Sequence, residues 1–557
     1  MSNQLTPTKR FWRLLKPDSR EIRNIYVYAV FIGLVNLSLP IGIQSIINLI
    51  QGGQMSTSWV ILVIFVILGI MITGILQINQ LRITESLQQK IFSRAAFEFA
   101  YRIPKVKLRA LHGKYAPELM NRFFDIISVQ KGLSKILMDF STASIQTVFG
   151  LLLLSLYHPF FIVFSLILIA LVYAIFKLTS KRGLETSLVE SKNKYNVAHW
   201  LQELARTSVS FKMAGVTELP LRRTDKATNK YVDAREEHFV ILKNQYILLV
   251  FFKVLVASGL LVAGSILVIE QQMNIGQFVA AEIIILLVLG AVEKLILSLE
   301  TIYDVVTSLE KVGQVTDMEL ESNTGMNILE TDVRKGLKVE ISQIKFSYPE
   351  QQRLVFNGAS LKIESGEKVM VMGDSDSGKT TLLYIMSGLY KVKEGSIGFN
   401  DLPIGNLNPN YLRTIVGDCL MDELLFEGTI MENLTMGRDS ATFDNVQWAI
   451  ENLGLVDFIK TLPNGYDTVI RPQGKQFSKG IVDKLILARS IVDKPRLLLI
   501  KDAFSSLIGE ERESIMNFLT AKENDWTLII ASKDKMIQSK VDRLILAKDG
   551  LLHEIKD

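Results

Sequence analysis

The first 300 residues of the chain alternate between long apolar stretches and charged segments. The apolar stretches run over residues 25–50, 59–77, 136–157, 160–176, 246–269 and 277–299. A helix of roughly 20 apolar residues crosses the about 30 Å of hydrocarbon in a bilayer. The pattern therefore predicts an all-α transmembrane domain of six helices over residues 25–315, with a tight turn at His158 and Pro159 between the third and fourth helices.

Basic residues are concentrated on one side of these spans. They precede the first span and fill the connection between the second and third: Lys9, Arg10, Arg13, Lys16, Arg20 and Arg23, then Lys105, Lys107, Arg109, Lys114 and Arg122. The opposite connections, 51–58, 158–159 and 270–276, contain no Lys or Arg. Because basic loops stay in the cytoplasm, both termini are expected there. Residues 1–24 are expected to form a cytoplasmic elbow segment that stays in the mature chain.

The long connections 81–135 and 177–245 are charged and rich in helix-forming residues, which predicts helices that continue below the membrane. Among the charged residues inside the predicted spans, three bear on topology or function. Lys253 and Glu293 are near span ends, where a long side chain reaches water by extending along the helix. Glu282 is close to the outer face, and both a cavity-lining role and simple hydration at the interface are open for it.

The composition changes after Gln314. Residues 316–336 are polar and predict a linker, and residues 337–557 alternate short apolar runs with turns, as in a soluble α/β domain. Within it an apolar strand leads into a glycine-rich loop and then a helix, the GxxxxGK[ST] pattern of a P-loop. The predicted nucleotide-binding residues are Gly373, Asp374, Ser375, Asp376, Ser377, Gly378, Lys379, Thr380 and Thr381. Loop amides and Lys379 would hold the phosphates of ATP, and the Thr380 hydroxyl would face Mg²⁺.

With these motifs the chain resembles ATP-binding cassette (ABC) exporters over nearly its whole length. Tyr348 matches the aromatic residue that stacks on adenine in that family, and LFEGTIMENL at 425–434 matches a segment downstream of the P-loop. In the membrane half, MNIGQFVAAEIII at 273–285 resembles type I secretion and bacteriocin exporters. The resemblance implies a P-loop NTPase domain of the ABC type after the six helices, and an ATPase or translocase activity.

The departures from the family pattern concern hydrolysis. The family's glutamine near the γ-phosphate aligns with Met421, its magnesium-binding aspartate with Lys501, its general-base glutamate with Asp502 and its histidine with Ser532. The LSGGQ signature aligns with FSKGI at 477–481 and retains Ser478 and Gly480. No catalytic position is then intact. Mg²⁺ is expected to bind weakly or not at all, because Lys501 would add positive charge where the metal belongs.

Composition excludes several other classes. The net charge of +5 comes without a long basic run, so no nucleic-acid partner is expected. The single cysteine, Cys419, excludes an internal disulfide and a Cys/His zinc cluster, and is interpreted as a buried thiol.

The sequence therefore predicts an ATP-binding subunit of a dimeric exporter in the inner membrane of a bacterium. A nucleotide-gated regulatory or scaffold subunit is the alternative. The implied partners are membrane lipid and a second ABC half-transporter, with a heterodimer favoured and a homodimer open. Relatives in type I secretion add a membrane-fusion adaptor and an outer-membrane channel. Because only about two dozen residues precede the first span, a leader-cleaving peptidase is not expected. The substrate stays open between peptides, lipids and drugs.

Overall fold

The structure is a computed structural model that describes residues 6–51, 57–327, 335–349, 351–420, 424–502 and 506–555. It divides into two compact units. The first comprises Met1–Pro104 and Lys114–Met318, and the second comprises Lys105–Gly113 and Glu319–Asp557.

The first unit is entirely helical. Its helices are α1 (Pro7–Leu15), α2 (Ser19–Asn36), α3 (Ser38–Gln51), α4 (Thr57–Arg102), α6 (Ala116–Met120), α7 (Asp125–Lys135), α8 (Ser141–Ser155), α9 (Pro159–Arg206), α10 (Ser208–Met213), α11 (Leu219–Ile269) and α12 (Ile275–Thr316); α5 (Leu108–Leu111) belongs to the second unit. Six helical segments among the described residues are long and apolar enough to cross a membrane, which confirms the predicted six-helix domain. Four of the helices have 42 to 51 residues. They extend far beyond a bilayer at 1.5 Å per residue, as the charged connections predicted.

Two spans are not uniform α-helices. The first span is interrupted at Leu37, between α2 and α3 and three residues before Pro40. Proline lacks an amide proton and is tolerated in the first turn of a helix, so Pro40 favours a new helix start here. The third span joins α7 to α8 through a π-helical turn, Ile136–Phe140. Apolar periodicity alone indicates neither feature.

Lys253 and Glu293 form an ion pair across two helices, which the sequence analysis did not predict. Lys253 lies on α11 and Glu293 on α12, and the ammonium donates to the Glu293 carboxylate over 2.7 Å. Each side chain remains about one third exposed in the protein. A partner on the neighbouring helix neutralises each charge within the span, which removes the need to reach the interface. Glu282 is half-buried on α12.

The second unit contains β-sheets flanked by helices. Its strands are β1 (Val339–Phe346), β2 (Phe356–Ile363), β3 (Lys368–Met372), β4 (Glu394–Phe399), β5 (Leu402–Pro403), β6 (Val416–Cys419), β7 (Gly428–Thr429), β8 (Val469–Ile470), β9 (Leu497–Lys501), β10 (Thr527–Ala531), β11 (Arg543–Lys548) and β12 (Leu551–Ile555). Its longer helices are α13 (Lys379–Met386), α14 (Pro409–Ile415), α16 (Phe443–Asn452), α18 (Lys479–Ile491) and α19 (Gly509–Thr520), and its short helices are α15 (Ile430–Thr435), α17 (Val456–Thr461) and α20 (Lys535–Gln538).

The central sheet has the strand order β12-β11-β3-β10-β9-β6 and is parallel except for β12. Strands β3, β9 and β10 are almost wholly buried, as expected for a parallel sheet covered on both faces. A second, antiparallel sheet has the order β2-β1-β4-β5. The fold class is thus confirmed as an α/β domain that follows the helical one, and Cys419 is buried in it.

The segment Lys105–Gly113 is held to the second unit by its backbone. Val106 forms an antiparallel bridge with Leu320, flanked by hydrogen bonds from the Lys107 amide to the Glu319 carbonyl (3.0 Å) and from the Glu321 amide to the Lys105 carbonyl (2.8 Å). The Leu108 side chain packs on the sheet core. These contacts fix the position of α5.

Candidate nucleotide site

The predicted site residues converge on one edge of the parallel sheet. Strands β3, β10 and β9 lie side by side and in parallel, so their carboxyl ends meet at the same edge. The P-loop follows β3, and Ser532 follows β10. Lys501 is the last residue of β9, and Asp502 comes directly after it. Ligands of open parallel sheets bind at this kind of edge.

The loop between β3 and α13 has a backbone that requires its two glycines. Gly373 has φ +148°, and a Cβ there would lie 2.5 Å from the Ala547 carbonyl oxygen. Gly378 has φ +95°, and a Cβ there would lie 2.9 Å from Phe356 and Val355. Both glycines therefore permit a tight turn that brings backbone amides to the start of α13, an arrangement that binds phosphate.

The remaining loop residues lie around this turn. Asp374, Ser375 and Asp376 are exposed, while Ser377 and Thr380 are half-buried and Thr381 is buried. Asp376 has φ +63°, a left-handed conformation in which aspartate is enriched.

Lys379 folds back over the loop. Its ammonium donates to the carbonyl oxygens of Gly373 and Asp374, each over 2.7 Å. Burial lowers the pKa of Lys379, and the nearby ammonium groups of Lys533 and Lys501 lower it further, against carboxylates that include Asp502. The side chain is held beside the turn, where a phosphate could replace the carbonyls as its partner.

Lys501 and Asp502 stand at the end of β9. Lys501 is in register with Ala531 of β10, and the Asp502 amide donates to the Ala531 carbonyl over 3.2 Å. Asp502 has φ +44°, so the chain turns sharply after the strand. Both side chains are half-buried. Within the part of the chain that the structure describes, Lys501 forms no ion pair.

Ser532 is buried, and its backbone amide donates to the Val371 carbonyl of β3 over 3.2 Å. The next residue, Lys533, was missed by the sequence analysis. Its ammonium lies 3.9 Å from the Asp374 carboxylate and acts on the pKa of Lys379. Its position directly after β10, at the same sheet edge as the P-loop, was the available signal. Lys379, Lys501 and Lys533 together form what we term the lysine cluster.

Tyr348 contacts the P-loop helix α13. Its hydroxyl and the Thr381 hydroxyl are 2.9 Å apart. Its ring is perpendicular to those of Phe346 and Tyr390 and is stacked in parallel by the imidazole of His112. His112 is far from Tyr348 along the chain, and no sequence motif indicated it.

Two predicted positions are not joined to the P-loop. Ser478 is exposed at the start of α18, and Gly480 lies in its first turn. Among the described residues no hydrogen bond links either residue to the P-loop. Met421 lies outside the described residues. The described residues contain no group of three or more His, Cys, Asp or Glu side chains able to hold a metal ion.

The comparisons with known proteins agree with this arrangement. The family profile described as ABC transporter matches residues 356–505. The chain is 27% identical over 291 residues to the alpha-hemolysin translocation ATP-binding protein HlyB of Escherichia coli O157:H7. It is 30% identical over 294 residues to the leukotoxin export ATP-binding protein LtxB of Aggregatibacter actinomycetemcomitans. Each match covers 52% of this chain and 41% of the relative, so the matched part spans about two fifths of those proteins.

The fold has a close counterpart among solved structures. A bacterial Atm1-family ABC exporter with ATP bound superposes with a TM-score of 0.84 over 96% of this chain and 95% of that chain, at 20% identity. That likeness concerns the fold alone. The chain therefore has the fold of an ABC exporter, in which six helices long and apolar enough to span a membrane precede an α/β domain, and residues 356–505 of that domain match the ABC transporter family.

Proposed function

We propose that this chain is the ATP-binding half of a dimeric exporter and that its own site holds ATP but hydrolyses it poorly. The observation that carries the proposal is the sheet edge. There a complete phosphate-binding loop stands beside a lysine at the strand end where a hydrolytic site needs a carboxylate.

ATP fits the residues present. The positive φ angles of Gly373 and Gly378 leave room for phosphate close to the backbone, and the amides of the first turn of α13 have no partner within the helix. Lys379 would exchange its two carbonyl partners for phosphate oxygens. Tyr348 would supply an aromatic surface for adenine.

Mg²⁺ fits this edge poorly. Thr380 offers one hydroxyl, but Lys501 places an ammonium at the end of β9, and Asp502 follows it after a sharp turn. A unit positive charge about 5 Å from a divalent cation costs on the order of 6 kcal/mol at an effective dielectric constant of about 20. We therefore propose that the lysine cluster neutralises the phosphates, and that attack on the γ-phosphate lacks both a metal and a positioned base.

A defective site favours a partner with an intact one. ABC domains that pair head to tail would place ATP between the P-loop of one chain and the signature helix of the other. Ser478 is exposed at the start of α18, so its hydroxyl is accessible to a second chain. A heterodimer could then hydrolyse ATP at the partner's P-loop and hold it at Lys379. A homodimer would have two defective sites and would suit the alternative role of a nucleotide-gated regulatory subunit.

The cargo and the cellular setting are proposed from the relatives. Two of them are named for the export of hemolysin and leukotoxin, which supports a peptide or protein cargo, with an adaptor and an outer-membrane channel as further partners. The excess of Lys and Arg in the connections 1–24 and 102–135 supports cytoplasmic termini, in the inner membrane of a bacterium.

The ATPase rate of the purified full chain in lipid tests this proposal. The chain alone is expected to turn over far below the about 1 s⁻¹ at the lower end of ordinary enzymes, while it still binds ATP. Addition of an intact half-transporter that co-purifies with it should raise the rate. Lys379→Ala in this chain should then lower the rate less than replacement of the P-loop lysine of the partner.

Turnover near 1 s⁻¹ by the chain alone, abolished by Lys379→Ala, would show that its own site hydrolyses ATP and would defeat the proposal. The matched control is Lys460→Ala, an exposed lysine on α17 that should leave every rate unchanged.

A further inference from the structure

A buried histidine joins three of the long helices of the first unit. His238 of α11 is 1% exposed and precedes the apolar stretch 246–269 by eight residues. Its Nδ1 atom lies 2.8 Å from the Oγ1 atom of Thr186 in α9. Its ring meets the Tyr303 ring of α12 edge to face, with 6.1 Å between ring centroids and 77° between ring planes. The imidazole therefore contacts both neighbouring helices at once.

The surroundings of this ring are closely packed. Tyr303 is 3% exposed, and its hydroxyl accepts a hydrogen bond from the Gln245 side-chain amide over 3.0 Å. A Cβ at Gly183 of α9 would lie 2.4 Å from the Tyr303 ring, so the ring fills the space that this glycine leaves. Because close-packed interiors leave little room for rearrangement, the His238 ring cannot turn toward water without a movement of one of the three helices.

The Nε2 atom of His238 is buried and has no hydrogen-bond partner among the residues that the structure describes. The Thr186 hydroxyl has one proton, and the carbonyl oxygens of Arg182 and Gly183, at 3.0 and 3.1 Å, accept it. The hydroxyl then accepts from Nδ1–H, which leaves Nε2 as an unpaired acceptor. A second proton would turn Nε2 into an unpaired donor of a buried cation, which costs more free energy than an unpaired neutral nitrogen.

Charged groups surround this contact on all three helices. Glu190 of α9, Arg235 of α11 and Glu300 of α12 each lie one helical turn from the residues already described. The Arg235 guanidinium is 3.3 Å from the Glu190 carboxylate and 3.8 Å from that of Glu300. Burial is the main reason that the pKa of His238 is lowered, and Arg235 lowers it further, against the two carboxylates. Both carboxylates are thus engaged by Arg235 rather than by the imidazole.

We infer that His238 is a pH-sensitive contact, which holds α9, α11 and α12 together while the imidazole is neutral and loosens them when it gains a proton. The three helices contain the apolar stretches 160–176, 246–269 and 277–299, so the change acts on the segments that continue three of the spans. The inference does not depend on the nucleotide site.

The direction of the pH effect follows from where the proton is bound more tightly. An imidazole that is exposed when the helices open has a pKa of about 6.5, whereas the pKa of the closed form is lower. The open form therefore binds more protons than the closed one, and acid favours it. The packing is fully stable well above about pH 6.5 and weakens as the pH falls below this value.

The test is hydrogen–deuterium exchange of the full chain in lipid nanodiscs, read by mass spectrometry at about pH 7.5 and about pH 5.5. After correction for the intrinsic pH dependence of exchange, opening of segments 183–190, 235–245 and 300–307 should increase by up to about tenfold in acid. This is the ratio for a group with a pKa of about 6.5 that stays neutral in the closed form. His238→Asn, whose amide can donate to Thr186 but does not titrate, should lose the increase.

Arg235→Gln is a second test, which leaves the buried ring in place and answers the question if His238→Asn does not fold. It releases Glu190 and Glu300 to stabilise the imidazolium, so the increase in acid should shrink. The matched control is His553→Asn, at an exposed histidine of β12, which should keep the full increase.

The inference is overturned if exchange in these three segments does not rise in acid in the wild-type chain, or if His238→Asn shows the same rise. An equal rise in the wild-type chain and in Arg235→Gln would also overturn it, because the charges around His238 would then have no influence on its protonation.

Discussion

Charged residues are arranged differently in the two units. In the first unit Lys253 and Glu293 neutralise each other over 2.7 Å across two helices. In the second unit the lysine cluster brings together three ammonium groups, and its one ion pair among the described residues, from Lys533 to Asp374, is 3.9 Å long. A paired charge stabilises a fold, whereas clustered like charges repel one another until an anion arrives. We therefore expect a structural role for the first group, and for the second the polyanion ligand proposed above.

The largest expected effect comes from removal of the central lysine of the cluster. Lys379→Ala should weaken ATP binding about 10- to 100-fold, because a phosphate loses a charge-assisted hydrogen bond in a partly buried site. Calorimetry on the full chain in lipid measures it. The variant should fold normally, since Lys379 bonds only to loop atoms. Equal affinity in the two proteins would break the comparison, because the cluster would then not be a ligand site.

Replacement of the lysine at the strand end should restore dependence on metal. In the wild-type chain, addition of EDTA is expected to change ATP affinity by less than about threefold. In Lys501→Asp, ATP should bind about tenfold or more tightly with Mg²⁺ than with EDTA, because a carboxylate replaces the repelling ammonium.

The control for this experiment is Lys548→Asp, which makes the same change in net charge at an exposed lysine at the end of β11. A large loss of affinity on chelation in the wild-type chain would contradict the prediction, since a metal would then bind despite Lys501.

The smallest expected effect concerns the membrane ion pair. Lys253→Met and Glu293→Gln should each lower the thermal midpoint in lipid by a few degrees, about 1–2 kcal/mol, because one polar group is left without its partner in an apolar span. The double variant should lower the thermal midpoint by less than the sum of the two single variants, and a double-mutant cycle measures the difference. Lys294→Met, at an exposed neighbour, is the control. Strict additivity would show that the two charges do not interact.

The membrane spans and the P-loop were predictable because each is encoded over a short stretch of sequence. A run of about twenty apolar residues is long enough to cross a bilayer and is recognisable by its composition alone. The GxxxxGK[ST] pattern between a strand and a helix predicts a glycine-rich turn, which Gly373 and Gly378 form. Lys501 and Ser532 were singled out by the resemblance to ABC exporters, and the structure shows that their strands β9 and β10 are parallel neighbours that end at the same edge.

Residue pairs remote in sequence were decided only by the tertiary structure. Lys253 and Glu293 each look like isolated charges near a span end, and only the packing of α11 on α12 brings them within 2.7 Å. His112 lies between two membrane spans in sequence, yet in the fold its ring stacks on Tyr348. The sequence by itself determined the six spans, the phosphate loop and the altered residues at the strand ends, because local patterns carry that information. Which charges pair, which lysines cluster and which ring covers Tyr348 depended on how the elements pack, and no local pattern records that.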